Sequence, residues 1–375
     1  VARTRERHGR RHAGPAPGLP ERELRLLNSW QLACHVSDLP AAGTAMRCDF
    51  AGRSAVVLRG KDGTIRAFLN VCRHRGSRIV DGDSRTGLAF CIGGRLRCPY
   101  HAWEYDETGA LAYVPDEDRY PSLARSGLGL QPIAVETWLG FVFIAFEPPP
   151  RSVAEMLEPV RVELVAHRFE SLRRLTEPQE QRYHADWTLL CEHRLDTYHL
   201  PVARPALKPL VGRSLDIAAC GEDVVRMTAR IEADGAATWS ARAYSRWLPM
   251  LDELPEERRR LWSSYFVWPN LALDVYPDQV AVAQVLPVQP GESLLRTVAY
   301  AVPDASREMR LVRYLNRRIS GQASGEDRRM VERAQQGIAT GDATPGPLAS
   351  DERGLLWFAA RRRRLDSHPL RGQQD

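Results

Sequence analysis

The sequence predicts an α+β chain in two parts: a small antiparallel β domain over 28–150 and a larger domain of helices and a curved antiparallel sheet over 151–375. Three observations carry this. Short apolar runs separated by turn residues fill the first part. The triplet Pro148-Pro149-Pro150 then punctuates the chain. Beyond it the apolar spacing first becomes helical, then strand-like, then helical again. A length of 375 residues suits two domains, and 43% apolar residues suffice for ordinary cores.

Residues 1–20 are basic and rich in Gly and Pro, so they are expected to be disordered. A short helix is expected from Pro20, with Glu21 and Glu23 in its first turn. The β-rich region begins at Trp30-Gln31-Leu32-Ala33-Cys34. Ala55–Arg59 and Ile65–Leu69 flank Lys61-Asp62-Gly63, a hairpin signal. Asp106-Glu107-Thr108-Gly109 reads as another turn, and Gly140–Phe146 as the last strand of this part. The longest apolar run, Leu139–Phe146, has the length of a strand and falls far short of the roughly 18–20 residues of a membrane span.

Past the prolines, Met156, Val160, Leu164 and Phe169 predict an amphipathic helix over Val153–Phe169. A second helix is expected over Trp187–His199, ended by the proline at 201. Val224–Ile231, Tyr265–Leu273, Gln279–Leu286 and Leu295–Val302 predict an antiparallel sheet. Glu308–Arg318, Asp327–Ile338 and Leu355–Arg364 predict helices, and the run Arg361–Arg364 reads as a solvated helix end. No internal repeat is visible.

Charge and cysteines narrow the class. The net charge of +5 is modest, and no basic patch is interleaved with aromatics, which argues against nucleic-acid binding. Arg10-Arg11 lacks a following apolar segment, so no export signal is read there. Seven cysteines make a disulfide framework unattractive, and a reducing cytoplasm fits best.

The chemistry begins with Cys72-Arg73-His74 and Cys98-Pro99-Tyr100-His101. Two thiolates and two imidazoles, one of each on each loop, form the ligand set of a Rieske [2Fe–2S] centre, in which one iron takes two Cys and the other two His. Cys₂His₂ is also a zinc ligand set. Zinc sites, however, usually pair Cys with Cys and His with His along the chain, whereas each loop here mixes them.

Asn70-Val71-Cys72-Arg73-His74-Arg75-Gly76 and Cys98-Pro99-Tyr100-His101-Ala102-Trp103-Glu104-Tyr105 resemble the Rieske domain of ring-hydroxylating oxygenase alpha subunits. The interval from His74 to Cys98 is longer than the family's. The extra residues fall around Gly82–Gly94 and read as a longer hairpin, with Cys91 as a strand cysteine.

A second stretch, Asp186-Trp187 through Glu192-His193-Arg194-Leu195-Asp196-Thr197-Tyr198-His199, resembles the catalytic segment of the same oxygenases. The resemblance implies a helix-grip catalytic domain with a mononuclear Fe(II) held by two His and one carboxylate, a triad whose open positions admit O₂. Carried over, His199 is one ligand, and Asp196 links the Rieske centre of one subunit to the iron of its neighbour in a head-to-tail homotrimer. Gly325-Glu326-Asp327, with Glu332 and Gln335, resembles the family's late segment and nominates Asp327 as the carboxylate. By itself, Asp327 would read as a helix-start acid favoured by the macrodipole.

One departure matters. Five residues after His199, where the family has its second His, stands Arg204, whose guanidinium has no lone pair to give. His193 stands where the family has Asn. Histidine fills only 10 of 375 positions, so a ring at that place suggests a relocated ligand. Against it, positions six apart on a straight helix lie about 9 Å apart along the axis and about 120° apart around it, so the helix must bend. Three readings stay open: a working site using His193, a degenerate site with weak or no mononuclear iron, and another His such as His184 or a misaligned segment.

The implied function is the terminal oxygenase of a multicomponent system. O₂ and electrons from a separate reductase, directly or through a ferredoxin, would serve to hydroxylate or oxidatively demethylate a small organic, aromatic or cyclic substrate. No flavin or nicotinamide fingerprint appears in the chain. The alternative is a non-catalytic Rieske carrier or structural partner with a degenerate iron site.

Overall fold

The strand Phe141–Ala145 is buried along its whole length because both of its faces meet a core. It is the centre of a three-stranded antiparallel sheet, between Gln31–His35 and Ala134–Trp138. Successive strand side chains point to opposite faces. Phe141 and Phe143 therefore join one core with Val267, Leu271 and Val280, while Val142 and Ile144 join another with Phe50, Ala55 and Val57. This double burial explains the unbroken apolar run in the sequence. The computed structural model describes residues 19–20, 23, 25–81, 88–90, 94–200, 215–232, 238–344 and 346–367. The basic N-terminal stretch to residue 18, Cys91 and Arg204 lie outside them. Of the helix expected from Pro20, Glu23 is described and helical, and a 3₁₀ turn follows over Arg25–Asn28.

On one side of that strand, Ile65–Leu69, Arg53–Arg59, Thr44–Phe50 and Leu88–Phe90 form a four-stranded antiparallel sheet. The hairpin expected at Lys61-Asp62-Gly63 is present, with Asp62 Oδ1 accepting the Thr64 N–H at 3.0 Å. A small sheet of Leu96–Arg97, Glu104–Tyr105 and Leu111–Tyr113 completes this side. The expected turn at Asp106 joins its last two strands, and Asp106 Oδ1 accepts the N–H groups of Thr108 and Ala110.

On the other side lies an eight-stranded antiparallel sheet. Seven strands run in the order Arg173–Arg174, Glu292–Ala301, Val280–Gln289, Leu271–Val275, Leu261–Val267, Val224–Arg230 and Asp216–Cys220. Gln179–Tyr183 also pairs with Glu292–Ala301. The run read as a single strand over Tyr265–Leu273 is two strands, Leu261–Val267 and Leu271–Val275. Pro269 sits at the reversal between them, where its missing N–H costs the sheet nothing.

The helices correct the sequence reading in three places. Val153–Phe169 is not one helix but Val153–Leu157, a 3₁₀ turn over Glu158–Val160, and Arg161–Val165. Pro159 removes a donor and its ring crowds the preceding turn. The two late helices are instead one, Arg307–Ala339, of 33 residues. It runs through Gly321 and Gly325, whose neighbourhoods are open. Each glycine costs about 1 kcal/mol relative to alanine, offset by an apolar face that includes Met309, Val312, Leu315 and Ile319. Asp327 is therefore mid-helix, and the helix-start explanation for it fails. Third, the Trp187 helix stops at Leu195, not at His199. The last helix among the described residues is Arg353–Ser367, which begins near the expected Leu355.

Gly140 holds φ +83 and a Cβ there would lie 2.4 Å from His35 Nε2. His35 is buried and meets the Phe169 carbonyl at 3.1 Å, so it cannot retreat freely. Gly291 has a similar φ of +75 with nothing within 4 Å. Gly291→Ala should lose about 1 kcal/mol from left-handed strain alone. Gly140→Ala should lose about 1–3 kcal/mol more from overpacking, as measured by urea denaturation.

Candidate functional site

The two Cys–His loops share one backbone design. Gly76 N–H donates to Cys72 O at 2.9 Å and Ala102 N–H to Cys98 O at 3.0 Å, so each loop closes four residues after its cysteine. Each cysteine N–H then donates five residues on, to Ser77 O and to Trp103 O, both at 2.8 Å. The closing residues hold φ +76 and +55, so a glycine serves the first loop while Ala102 carries left-handed strain in the second. Asn70 fastens the first loop, accepting the N–H groups of Ile79 and Val80 and donating to Val80 O.

This design brings the four residues together. Cys72 and Cys98 are buried and interact electrostatically with each other. The His74 and His101 ring centres are 4.5 Å apart. His74 Nδ1 is buried and has no hydrogen-bond partner. Burial, then His101 and Arg75, push the His74 pKa down, favouring the neutral imidazole that ligation needs. A pair of thiols beside a pair of imidazoles fits a Rieske cluster. The sequence reading missed two neighbours that lie within the quoted motif. Trp103 stacks on His74 at 4.6 Å. Tyr105 Oη accepts the Arg73 N–H at 3.0 Å and lies 3.2 Å from Cys72 Sγ. A metal-bound thiolate has no proton, so Tyr105 becomes the donor there.

The second group is built on helix Trp187–Leu195, whose N-terminus is capped by Asp186 accepting the Thr188 N–H. Asp196 leaves the helix at φ −77, ψ 122. Its Oδ1 accepts the Tyr198 N–H at 2.7 Å, and its Oδ2 meets His199 Nδ1 at 3.0 Å. The chain folds back, and the His193 and His199 ring centres come within 4.3 Å. The expected distortion is therefore a full stop in the helix. His193 Nε2 meets Asp327 Oδ1 at 3.1 Å. The long helix is held there by Glu332 and Gln335, which accept the N–H groups of His184 and Asp186. His184 itself does not join; its exposed ring lies 3.5 Å from Glu292.

These residues also fit a metal. An imidazole nitrogen bonded at about 2.1 Å puts the ring centre roughly 3 Å from the ion, so two adjacent ligand rings stand roughly 4–5 Å apart. His199 Nε2 is buried without a hydrogen-bond partner. Among the described residues, no three His, Cys, Asp or Glu side chains are yet arranged around one centre. Here His193 and Asp327 meet each other, and an ion would exchange that contact for bonds to itself. Two further features were not legible from motifs. Arg194, paired with Asp274 at 2.6 Å, also lies within electrostatic reach of Asp327. Gly354 packs so closely that a Cβ would sit 2.7 Å from Leu195 O, at the helix stop.

Two Cys–His loops and a separate cluster of two His and one carboxylate are the donor types that Rieske non-haem iron proteins use. Comparison agrees. Residues 29–127 match the Rieske [2Fe-2S] domain, and residues 169–365 match the ring hydroxylating alpha subunit catalytic domain. The chain belongs to the ring-hydroxylating alpha subunit family, whose catalytic domain binds mononuclear iron alongside the Rieske cluster. The carnitine monooxygenase oxygenase subunit of Escherichia coli K12 is 29% identical over 196 residues, which are 51% of this chain and 50% of that one. That match spans about half the relative's length. The glycine betaine monooxygenase oxygenase subunit of Chromohalobacter salexigens is 26% identical over 364 residues, covering 88% of this chain and 79% of the relative. A quaternary ammonium Rieske monooxygenase structure superposes with TM-score 0.77 at 21% identity, covering 93% and 92% of the two chains. Naphthalene 1,2-dioxygenase gives 0.73 at 21% identity, covering 92% and 89%. Both likenesses show the shared fold: a Rieske domain joined to a catalytic domain of antiparallel sheet and helices.

Replacing Tyr105 with Phe removes a hydrogen bond that favours the more negative, reduced cluster. The reduction potential should fall by about 60 mV, the one-electron equivalent of about 1.4 kcal/mol, measured by voltammetry with the cluster intact.

Proposed function

We propose that the chain is the terminal oxygenase of a multicomponent system that uses O₂ and two electrons to oxidise a small organic substrate. One oxygen atom enters the substrate and the other leaves as water in a monooxygenation; both enter in a dioxygenation. Cys72, His74, Cys98 and His101 would hold a Rieske cluster able to supply single electrons, and the mononuclear site would hold the iron that supplies the chemistry of O₂ reduction. A separate reductase, directly or through a ferredoxin, provides the electrons. The carnitine and glycine betaine monooxygenases among the relatives widen the expected substrates from aromatic and cyclic compounds to small quaternary ammonium acids. We place the protein in the cytoplasm. No helix among the described residues is long and apolar enough to cross a membrane.

The observation that carries the reading is the meeting of His193, His199 and Asp327 beside Asp196. It supports His193 as the replacement for the missing second histidine, and so favours an active iron site over a degenerate one. His199 and Asp327 complete the ligand set. Asp196, in contact with the His199 ring, would carry electrons in from the Rieske centre of a neighbouring subunit in a homotrimer. Its carboxylate lies 3.0 Å from Nδ1, where it would orient the ring and leave Nε2 for the metal.

Reconstituted protein should be brown, show a Rieske resonance signal when reduced, and contain about three irons per chain. About two irons with no turnover would leave only the carrier reading. Asp196→Asn keeps the side-chain shape, so cluster, iron count and assembly should survive while turnover falls about 10–100-fold. An equally active Asp196→Asn enzyme, or a strictly monomeric active one, would remove the relay.

A further inference from the structure

Helix Trp239–Trp247 lies on the first half of the long helix Arg307–Ala339. Ser240 Oγ donates to Gln322 Oε1 and Asn316 Nδ2 to Tyr244 Oη, both at 3.4 Å, so the two helices run antiparallel. Ala241, Tyr244 and Leu248 pack inward with Val312, Leu315 and Ile319. The outward face of a surface helix is ordinarily polar. Here it presents Trp239 and Trp247, 52% and 56% exposed, followed by Met250 at 54%. Arg318 lies over the Trp239 ring at 5.2 Å. Leu311 and Tyr314 share that side of the long helix, at helical spacing from Arg318, and are 41% and 46% exposed.

Five large apolar side chains, each about half exposed, make a patch on the order of 500 Å², at the upper end of what a monomer shows. Its borders carry both signs of charge. Arg242 and Arg246 are exposed on the helix, and just past its end Asp252, Glu253, Glu256 and Glu257 are exposed. Asp252 pairs with Arg259 at 3.3 Å. Among the described residues, Arg246, Glu253 and Glu257 make no ion pair. A nucleic acid or a wholly acidic protein laid on this face would meet those carboxylates. A second copy of the chain carries both signs in the matching order.

We propose that this face joins two copies of the chain about a two-fold axis. Such a contact is self-complementary: residue i faces j, and j faces i. With the axis between Trp247 and Met250, Arg246 of each copy faces Glu253 of the other, and Arg242 faces Glu257. Both pairs are centred on the same point of the chain, so one axis satisfies both. The two Trp247 rings, with Met250, Leu311 and Tyr314, form the dry centre, where large aromatic side chains contribute most. The patches of both copies total roughly 1,000 Å², the lower bound for a specific interface. The contact is therefore modest in strength, and its bordering ion pairs make it sensitive to salt. Tyr314 stands about 20 Å from Asp327 along the long helix, so the iron site is left open. Head-to-tail trimers would pair into particles of six chains, and single chains into dimers.

Light scattering on the full, metal-loaded chain at micromolar concentration and low salt tests this. The particle should contain an even number of chains. Trp247→Glu should halve its mass while melting at a temperature close to the unaltered protein. Arg246→Glu and Glu253→Arg should each raise the dissociation constant of the pairing at least about tenfold. The double variant only reverses the ion pair, so it should regain the unaltered value. A particle of one or three chains, an unchanged mass in Trp247→Glu, or a double variant as weak as the single ones would each overturn the proposal.

Discussion

The Asp196 carboxylate ends one helix and begins the candidate iron site. Without that stop, residues 193 and 199 would stand about 9 Å apart on diverging faces. With it, their rings are 4.3 Å apart. One side chain accepts the Tyr198 N–H and lies 3.0 Å from His199 Nδ1. A hydrogen bond to a charged group contributes only about 1.5–3 kcal/mol net, so the bend needs support from outside. Gly354 gives it by letting the last helix close against Leu195 O, and Thr197 Oγ1 donates to Asp351 O at 3.5 Å.

The long helix carries the third member. A continuous Arg307–Ala339 places Asp327 against His193, and Glu332 and Gln335 tie the next turns to the N-terminal end of helix Trp187–Leu195. Thus two helices far apart in sequence are registered by backbone donors at one end and by a His–carboxylate contact along their length. The double-faced strand Phe141–Ala145 performs the same service for the whole molecule, sharing one core with the iron–sulfur part and another with the large sheet.

The β elements of the first part and the Cys–His loops were legible because their signals are local. Turn residues bracket short strands, and each ligand pair sits within one loop. The second site was only half legible. The sequence nominated His193, His199, Asp196 and Asp327, yet whether the rings converge depends on where the helix ends, and the reading let it run to the proline. From sequence Asp196 is a residue for electron delivery between subunits, and nothing there marks it as the residue that breaks the helix. The sequence reads two helices, Glu308–Arg318 and Asp327–Ile338, where an apolar face keeps one long helix whole through Gly321 and Gly325. Tyr105, Trp103 and Gly354 act through contacts, and no spacing rule announces them.

The central claim is that His193 and His199 both hold the mononuclear iron. Pulsed electron paramagnetic resonance on protein labelled with ¹⁵N-histidine, with nitric oxide as the spin probe on Fe(II), counts histidine nitrogens at that metal. Two in the unaltered chain and one in His193→Asn is the predicted result. A single histidine in the unaltered chain, or two remaining in His193→Asn, would contradict it.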